Sequence, residues 1–175
     1  MRTEIRIAGT GGMGVVLAGV ILGRAAVLYG GLDAVQTQSY GSEARGTAAK
    51  SEVIISSNPI KYPKVRKSDI LVAMSQKAFD MFASDIREGS TIIVDEDIVD
   101  SSNQPVDCKI IKIPAMRTAD ELGRRMIANM VMLGAVAKIS GIIEIEDIEN
   151  AVADMVPVNT IEINKKALDA GASLA

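Results

Sequence analysis

The hydrophobic positions of the chain alternate between short β-branched runs and stretches of helical length. Residues 4–8 form such a short run, glycines dominate residues 9–14, and apolar residues then continue through residues 15–29. This pattern predicts a strand, a glycine turn and a helix. Residues 32–38 suit a second strand, followed by a polar loop that we expect to be too long for a hairpin. Residues 51–56 have polar neighbours, which favours an antiparallel or edge strand.

The middle of the chain carries the pattern of buried parallel strands. Residues 70–74 and 91–94 are continuously apolar, and residues 108–113 give a further strand that Pro114 ends. Continuous apolar runs are typical of parallel strands covered on both faces. Ser75 is placed to cap a helix that follows the first of these strands. Helices and strands therefore alternate, which predicts an α/β sheet.

The last third of the chain is predicted to be helical. Thr118 to Glu121 has the form of a capping box, and apolar side chains then recur every three or four residues at Leu122, Met126, Met130, Leu133 and Ala137. This spacing predicts one helix of about five turns that ends near Gly141, with Lys138 in its last turn. Residues 147–155 predict a shorter helix, and residues 159–170 a strand or turn that leads into a helical stub. No repeat or linker divides the chain, so we expect one domain, residues 1–175.

The composition argues against a self-sufficient catalyst. The 175 residues include no His and one Cys, and 48% of them are hydrophobic. Without His there is no Ser-His-Asp catalysis, no imidazole base and no His ligand for zinc or haem. The single thiol, Cys108, cannot hold an iron-sulfur cluster, and we interpret it as an inert buried side chain. The composition therefore favours a binding subunit.

Charge and hydropathy limit the partners. The 19 Lys and Arg against 22 Asp and Glu give a net charge of −3 with mixed signs, so we expect no nucleic-acid partner. Residues 15–29 are interrupted by Gly19, Gly23 and Arg24 and are too short to span a membrane. The strand pattern starts at residue 4, which leaves no room for a signal peptide. We expect a cytoplasmic protein without membrane contact, in agreement with its single reduced cysteine.

The first glycine cluster is a candidate ligand site. Gly9, Gly11 and Gly14 match dinucleotide-type spacing and lie between a predicted strand and helix. Backbone amides in such a turn can approach a phosphate at the helix N-terminus. A tight crossover without a ligand is the alternative. An NAD enzyme would also place an acid at the end of the second strand, whereas Gln38 stands there and Asp33 lies at its start.

A second polar cluster follows the second strand. Residues 38–46 combine Tyr40, Ser42, Glu43 and Arg45 with glycines. Arg45 could form a bidentate pair with a phosphate or with Glu43 itself, so a ligand loop and a surface loop held by an ion pair both stay open. The loop is expected at the same carboxyl edge of the sheet as the glycine turn.

Two other features also have explanations that involve no ligand. Residues 61–67 carry four positive charges, which could attract an anionic ligand or an acidic partner, but a solvated loop is the favoured interpretation because isolated surface charges contribute little without defined geometry. The methionines are expected to fill gaps in the core or to form subunit contacts; those considered are Met74, Met81, Met116, Met126, Met130, Met132 and Met155.

Two stretches carry a family resemblance. Residues 7–19, with Gly9-Thr10-Gly11-Gly12-Met13-Gly14, and residues 37–46 resemble the gamma subunit of 2-oxoacid:ferredoxin oxidoreductases, in particular its 2-oxoglutarate branch. The similarity continues through residues 51–56, 62–65, 71–76, 129–134 and 164–168. Met13 stands where the family usually has Gln, and Thr47 where it usually has Gly.

The resemblance implies a three-layer, Rossmann-like α/β/α domain with a mostly parallel sheet. It also implies a complex with alpha, beta and delta subunits that converts a 2-oxoacid to its acyl-coenzyme A and reduces ferredoxin. Thiamine diphosphate and iron-sulfur clusters are expected on the partner subunits, so ferredoxin is an indirect partner. The gamma subunit is expected to contribute assembly and the coenzyme A side of the site. An isolated chain is expected to self-associate as a homodimer, because an assembly surface without its partners tends to be apolar.

The site expected from the resemblance has no catalytic or metal-binding residue on this chain. Its predicted ligand-binding residues come from the two loops: Gly9, Gly11, Gly12, Gly14, Tyr40, Ser42, Arg45 and Gly46. Three alternatives stay open: the indolepyruvate or pyruvate branch of the family, a stand-alone dinucleotide-binding protein, and a purely structural scaffold.

Overall fold

A computed structural model describes residues 1–41, 48–104 and 107–175. Its strands are β1 Arg2–Thr10, β2 Asp33–Ser39, β3 Ala48–Ser56, β4 Ser68–Ala73, β5 Ile86–Asp95 and β6 Lys109–Ile113. Its α-helices are α1 Val15–Leu28, α2 Gln76–Phe82, α3 Ala115–Glu121, α4 Ala128–Ser140, α5 Ile145–Met155 and α6 Ile161–Leu174.

The six strands form one sheet in the order β2-β3-β1-β4-β5-β6. β3 runs antiparallel to both of its neighbours, β1 and β2. The other three pairs, β1 with β4, β4 with β5 and β5 with β6, are parallel. The predicted mostly parallel sheet with one antiparallel strand is therefore confirmed. The prediction that the loop after β2 excludes a hairpin is wrong, since β2 and β3 pair along the whole of β2, from Asp33 opposite Ser56 to Ser39 opposite Lys50. Closing a longer loop costs only slightly more conformational entropy than closing a short one, and the hydrogen bonds between β2 and β3 outweigh that cost.

Helices cover the two faces of the sheet unequally. Alternate side chains of β1 face opposite ways, so Ile5 and Ile7 join the larger core under α1, α4, α5 and α6. Ala8 lies in the smaller core on the other face, with Phe79 and Phe82 of α2. As predicted, Ser75 caps α2 by accepting a hydrogen bond from a backbone N–H, with an N···O distance of 3.2 Å. The predicted three-layer α/β/α fold is confirmed.

The apolar run after the glycine turn forms α1, as predicted. This helix is apolar almost all the way round, and its side facing the sheet is fully buried. None of the helices in the described ranges combines the length and the hydropathy that crossing a membrane requires.

The predicted five-turn helix is wrong, because the chain breaks it in two. α3 ends at Glu121, Gly123 takes a positive φ of 89°, and one 3₁₀ turn precedes α4. Thr118 lies inside α3 and caps nothing, and Met126 is 74% exposed instead of facing the core. Only a glycine adopts that φ readily, so Gly123 sets the break. The predicted end of the helix is confirmed, since Gly141 follows α4 in the left-handed conformation.

The shorter helix predicted before the C-terminal segment is confirmed as α5. Of the two alternatives for the segment after it, the strand is wrong and the turn is confirmed, since a 3₁₀ turn at Val158–Thr160 leads into a helix that is longer than the predicted stub. The chain ends in α6, a helix of 14 residues that packs against α4. Its buried face consists of Asn164, Ala167, Leu168 and Gly171. Three of these residues are small or polar, so few large apolar side chains mark the buried face of this helix. Its packing against α4 stabilises it.

Candidate functional site

The glycine turn joins β1 to α1 at the carboxyl edge of the sheet. Gly12 and Gly14 have φ angles of 89° and 72°, which side chains rarely tolerate. A Cβ atom on Gly9 would lie 3.1 to 3.2 Å from side-chain atoms around it, whereas Gly11 and Gly12 have open space within 4 Å of such an atom. The turn therefore buries Gly9 and presents the exposed backbone of Gly11 and Gly12 beside the N-terminus of α1.

Met13 forms two hydrogen bonds with Thr10 inside this turn. Its backbone N–H donates to the carbonyl of Thr10 at 3.2 Å, and its Sδ atom accepts from the N–H of Thr10 at 3.3 Å. The residue that replaces the usual glutamine is thus an internal acceptor of the turn.

Asn129, the second residue of α4, holds the end of the turn. Its Nδ2 atom donates to the carbonyl oxygen of Gly14 at 3.1 Å, and the residue is 3% exposed. A Cβ atom on Gly14 would lie 2.4 Å from the same Nδ2 atom. The amide thus fixes the glycine turn against α4 and demands a glycine at position 14.

An apolar cleft opens beside the glycine turn. It has a volume of about 200 Å³ and is lined by Gly12, Met13, Met74, Met116, Arg125, Met126 and Ala128. Four of these side chains are flexible methionines, which adapt to apolar ligands of varied shape. Arg125 lies at its rim, where it pairs with Asp120 at 3.1 Å. The break between α3 and α4 brings Arg125 and Met126 to this position, so the misjudged helix is part of the site.

Asp95 positions Met116, which lines one side of the cleft. It ends β5 with 1% exposure, and its carboxylate accepts from the backbone N–H groups of Met116 at 2.8 Å and Asp97 at 3.1 Å. Burial raises the pKa of the Asp95 carboxyl above its usual value, and the two hydrogen bonds offset part of that rise. The side chain therefore positions the start of α3, and with it Met116.

The second predicted loop starts at the same edge. Tyr40 follows β2 and is mostly exposed, with its hydroxyl 3.3 Å from the amide nitrogen of Gln38, which donates to it. Thr10 pairs with Ala48, so β2 and β1 end at one edge with β3 between them, about 10 Å apart at the usual strand spacing. The predicted juxtaposition of the two loops is thus confirmed as far as Gly41. Ser42, Arg45 and Gly46 lie outside the described residues, and their roles stay predictions.

Other candidates fall away from this edge. Asp33 begins β2 at the amino edge, far from the glycine turn. Cys108 is half-buried and precedes β6, and burial raises the pKa of its thiol, which favours the inert protonated form. Across residues 1–41, 48–104 and 107–175, no cluster of three or more His, Cys, Asp or Glu side chains could hold a metal ion.

Sequence reasoning missed the cleft, Asn129 and the role of Asp95. The cleft is built from four separate parts of the chain, and methionines are expected in any core. Asn129 did leave a signal, because an amide interrupts an otherwise apolar helical run. Asp95 also left one, as an acid directly after a buried strand.

Comparison with known proteins gives consistent matches. The family model of pyruvate ferredoxin/flavodoxin oxidoreductases matches residues 4–174. The chain is 52% identical to the 2-oxoglutarate synthase subunit KorC of Methanocaldococcus jannaschii, over 100% of this chain and 95% of that protein. It is 35% identical to the ketoisovalerate oxidoreductase subunit VorA of Methanothermobacter marburgensis, over 98% of this chain and 36% of that protein.

The fold also matches a solved structure. The crystal structure of the keto/oxoacid ferredoxin oxidoreductase gamma subunit from Geobacter sulfurreducens superimposes with a TM-score of 0.90 at 40% identity, covering 99% of this chain and 95% of that one.

Proposed function

This chain belongs to the pyruvate ferredoxin/flavodoxin oxidoreductase family, and we propose that it is the gamma subunit of a 2-oxoglutarate:ferredoxin oxidoreductase. The complex would oxidatively decarboxylate 2-oxoglutarate to its acyl-coenzyme A and reduce ferredoxin. The observation that carries the substrate is the 52% identity to a 2-oxoglutarate synthase subunit along the whole chain, against 35% to a ketoisovalerate enzyme. This difference supports the 2-oxoglutarate branch over the ketoisovalerate branch, and the pyruvate and indolepyruvate branches are alternatives that the assay distinguishes.

The division of labour follows from what this chain carries. It has no His, and its buried acid at the carboxyl edge, Asp95, is committed to two backbone hydrogen bonds. We propose that thiamine diphosphate and the iron-sulfur clusters belong to alpha, beta and delta partners in the cytoplasm, and the single Cys of this chain supports this for the clusters. Val27 and Leu28 at the end of α1 are about half exposed, which supports self-association of a chain without those partners.

The carboxyl edge fits the coenzyme A side of such a site. The exposed backbone of Gly11 and Gly12 and the N-terminus of α1 suit a phosphate group. The methionine-lined cleft suits a narrow apolar arm, because about 200 Å³ is too small for a whole nucleotide. Arg125 at its rim can form charge-assisted hydrogen bonds with a phosphate. This chain would thus bind and orient coenzyme A, while partner subunits carry the reacting groups.

The activity is tested on the assembled complex. The tagged chain is co-expressed with the products of its neighbouring genes, and viologen reduction is measured with 2-oxoglutarate, pyruvate and indolepyruvate, with and without coenzyme A. We expect the highest kcat/KM for 2-oxoglutarate, dependent on coenzyme A. A higher kcat/KM for pyruvate or indolepyruvate would move the chain to another branch. Purification of the chain alone with tightly bound dinucleotide would favour the stand-alone alternative.

The coenzyme A role is tested by Arg125→Gln. We expect the KM for coenzyme A to rise about tenfold, as the loss of one charge-assisted hydrogen bond implies, with the KM for 2-oxoglutarate unchanged. Arg117→Gln is the matched control, since Arg117 is an exposed arginine of α3 that pairs with Glu96 outside the cleft. Arg45→Ala tests the second loop in the same assay. Unchanged KM values for coenzyme A in both Arg125→Gln and Arg45→Ala would refute the role of this edge.

A further inference from the structure

Three separate segments bring basic side chains together at the amino edge of the sheet. Arg2 begins β1, residues 61–67 precede β4, and Arg87 lies at the start of β5. These strands are parallel, so their first residues share one edge, opposite the glycine turn and about 23 Å from it at the usual rise of a strand. The segments enclose an open cleft of about 330 Å³, lined by Arg2, Glu4, Tyr62, Lys64, Arg66 and Arg87.

The carboxylates of this cleft are already occupied by two of its arginines. Glu4 is almost fully buried and pairs with Arg2 at 2.9 Å and with Arg87 at 3.2 Å. Asp69 pairs with Arg87 and also accepts the backbone N–H of Glu4 at 2.7 Å. The network holds both arginines in place and balances their charge.

The positive charges of Lys64 and Arg66 are not balanced by carboxylates of the described residues in this way. Both are exposed, and neither forms an ion pair with a carboxylate anywhere in the part of the chain that the structure describes. Val65 between them is buried, which anchors the segment and leaves its two neighbours on the cleft. The basic run thus has a defined shape instead of being a freely solvated loop.

Tyr62 orients Arg66 within the cleft. The guanidinium carbon lies 5.3 Å from the centre of the Tyr62 ring, and Arg66 donates to the Tyr62 hydroxyl at 3.4 Å. The backbone carbonyl of Tyr62 accepts from Arg2 at 3.1 Å, which ties the segment to β1. The hydrogen bond and charge of Arg66, with the charge of Lys64, lower the pKa of the Tyr62 hydroxyl, as a positive local potential requires.

The charges of the cleft select its ligand. Four cations stand against the two carboxylates of Glu4 and Asp69, so an excess of two positive charges remains in a chain whose net charge is −3. We propose that this cleft binds a compact dianionic oxyanion, either the phosphate of a phosphomonoester or a small dicarboxylate. Its volume is that of a small-molecule site, and an arginine held in place, as Arg66 is by Tyr62, recognises such groups through paired hydrogen bonds while Lys64 adds a second charge. The proposal does not depend on the oxidoreductase function.

The test is an NMR titration of the full chain with inorganic phosphate and, separately, with succinate, each against chloride at matched ionic strength. We expect saturable shifts of the backbone amides of Tyr62, Lys64, Arg66 and Arg87. A larger response to phosphate assigns a phosphate ligand, and a larger response to succinate assigns a dicarboxylate. Shifts that rise linearly and equal those in chloride would overturn the proposal.

Variants locate the binding. The double variant Lys64→Gln with Arg66→Gln leaves the Glu4 network intact, and we expect it to weaken binding about tenfold or more. Lys166→Gln, at an exposed position on α6, is the matched control and is expected to bind like the wild type. Unchanged affinity in the double variant, with its fold confirmed by the same spectra, would show that the anion binds elsewhere.

Discussion

The crossing of α4 and α6 depends on two glycines that face backbone. A Cβ atom on Gly134 would lie 1.9 Å from the carbonyl oxygen of Leu168, and one on Gly171 would lie 1.8 Å from that of Val131. No change of rotamer relieves such a contact, because the carbonyl oxygen belongs to the main chain and the position of a Cβ atom is set by the main chain. Gly134→Ala therefore forces the two helices apart by about 1.5 Å before the atoms reach contact distance.

The change in stability of Gly134→Ala combines an unfavourable packing contribution with a favourable contribution from helix propensity. Overpacking of this kind costs about 3 kcal/mol when the backbone must move. Replacing Gly by Ala inside a helix returns about 1 kcal/mol through helix propensity. We expect a net loss of about 2 kcal/mol in the free energy of unfolding, which lowers Tm by about 4–8 °C in a chain of this size.

Gly23 provides the matched control. It also lies inside a helix, α1, but an added Cβ atom would meet only a carbon of Gln36 at 3.8 Å. Gly23→Ala should therefore stabilise the chain by about 0.5–1 kcal/mol. The double variant Gly134→Ala with Gly171→Ala should cost less than the sum of its parts, since one separation of the helices relieves both contacts.

Urea denaturation of the isolated chain measures these differences, with circular dichroism and fluorescence compared to establish a two-state transition. If Gly134→Ala is as stable as the wild type, or gains as much as Gly23→Ala, then α4 and α6 do not approach each other this closely. The reasoning about their packing would then fail.

Three further changes test other parts of the structure. Asp95 has a folded pKa above its unfolded value of about 3.9, so its contribution to the free energy of unfolding falls as pH rises through that interval; Asp95→Asn should remove this fall in denaturation measured from pH 4 to pH 7. Arg6 is buried and pairs with Glu52 at 2.8 Å, so Arg6→Met should cost about 3 kcal/mol, and adding Glu52→Leu should recover most of it in a double-mutant cycle. Asn129→Ala removes the hydrogen bond to Gly14 and should cost about 1–2 kcal/mol, with faster amide hydrogen exchange in the glycine turn as the local readout.

The sequence predicted the elements whose signal is local. The strand, glycine turn and helix at residues 4–29, the buried strands and the cap at Ser75 follow from hydrophobic runs and turn residues a few positions apart. The carboxyl edge as the place of the glycine turn, and of the start of the second loop as far as Gly41, followed as well, because parallel strands end at one edge. The family resemblance added the kind of complex, which no local pattern provides.

The two errors in the helices have different physical causes. Gly123 breaks the helix through a positive φ, a local backbone conformation that a hydrophobic period does not register. By contrast, α6 is held by small residues that fit the backbone of α4, so contact with a distant part of the chain outweighs local propensity there. The same holds for the site, since Asp95, Asn129 and the methionine-lined cleft exist only once β5, α3 and α4 meet.

The sequence by itself thus determined the α/β alternation, the glycine turn and the absence of a histidine-based catalyst, since each depends on residue type and short-range spacing. The tertiary structure alone decided what lies beside that turn and what gathers at the opposite edge. Side chains from β1, β5 and residues 61–67 share one basic cleft only because parallel strands begin side by side. Contacts between residues 60 or more positions apart depend on strand order and register, and these are set by packing of the whole domain.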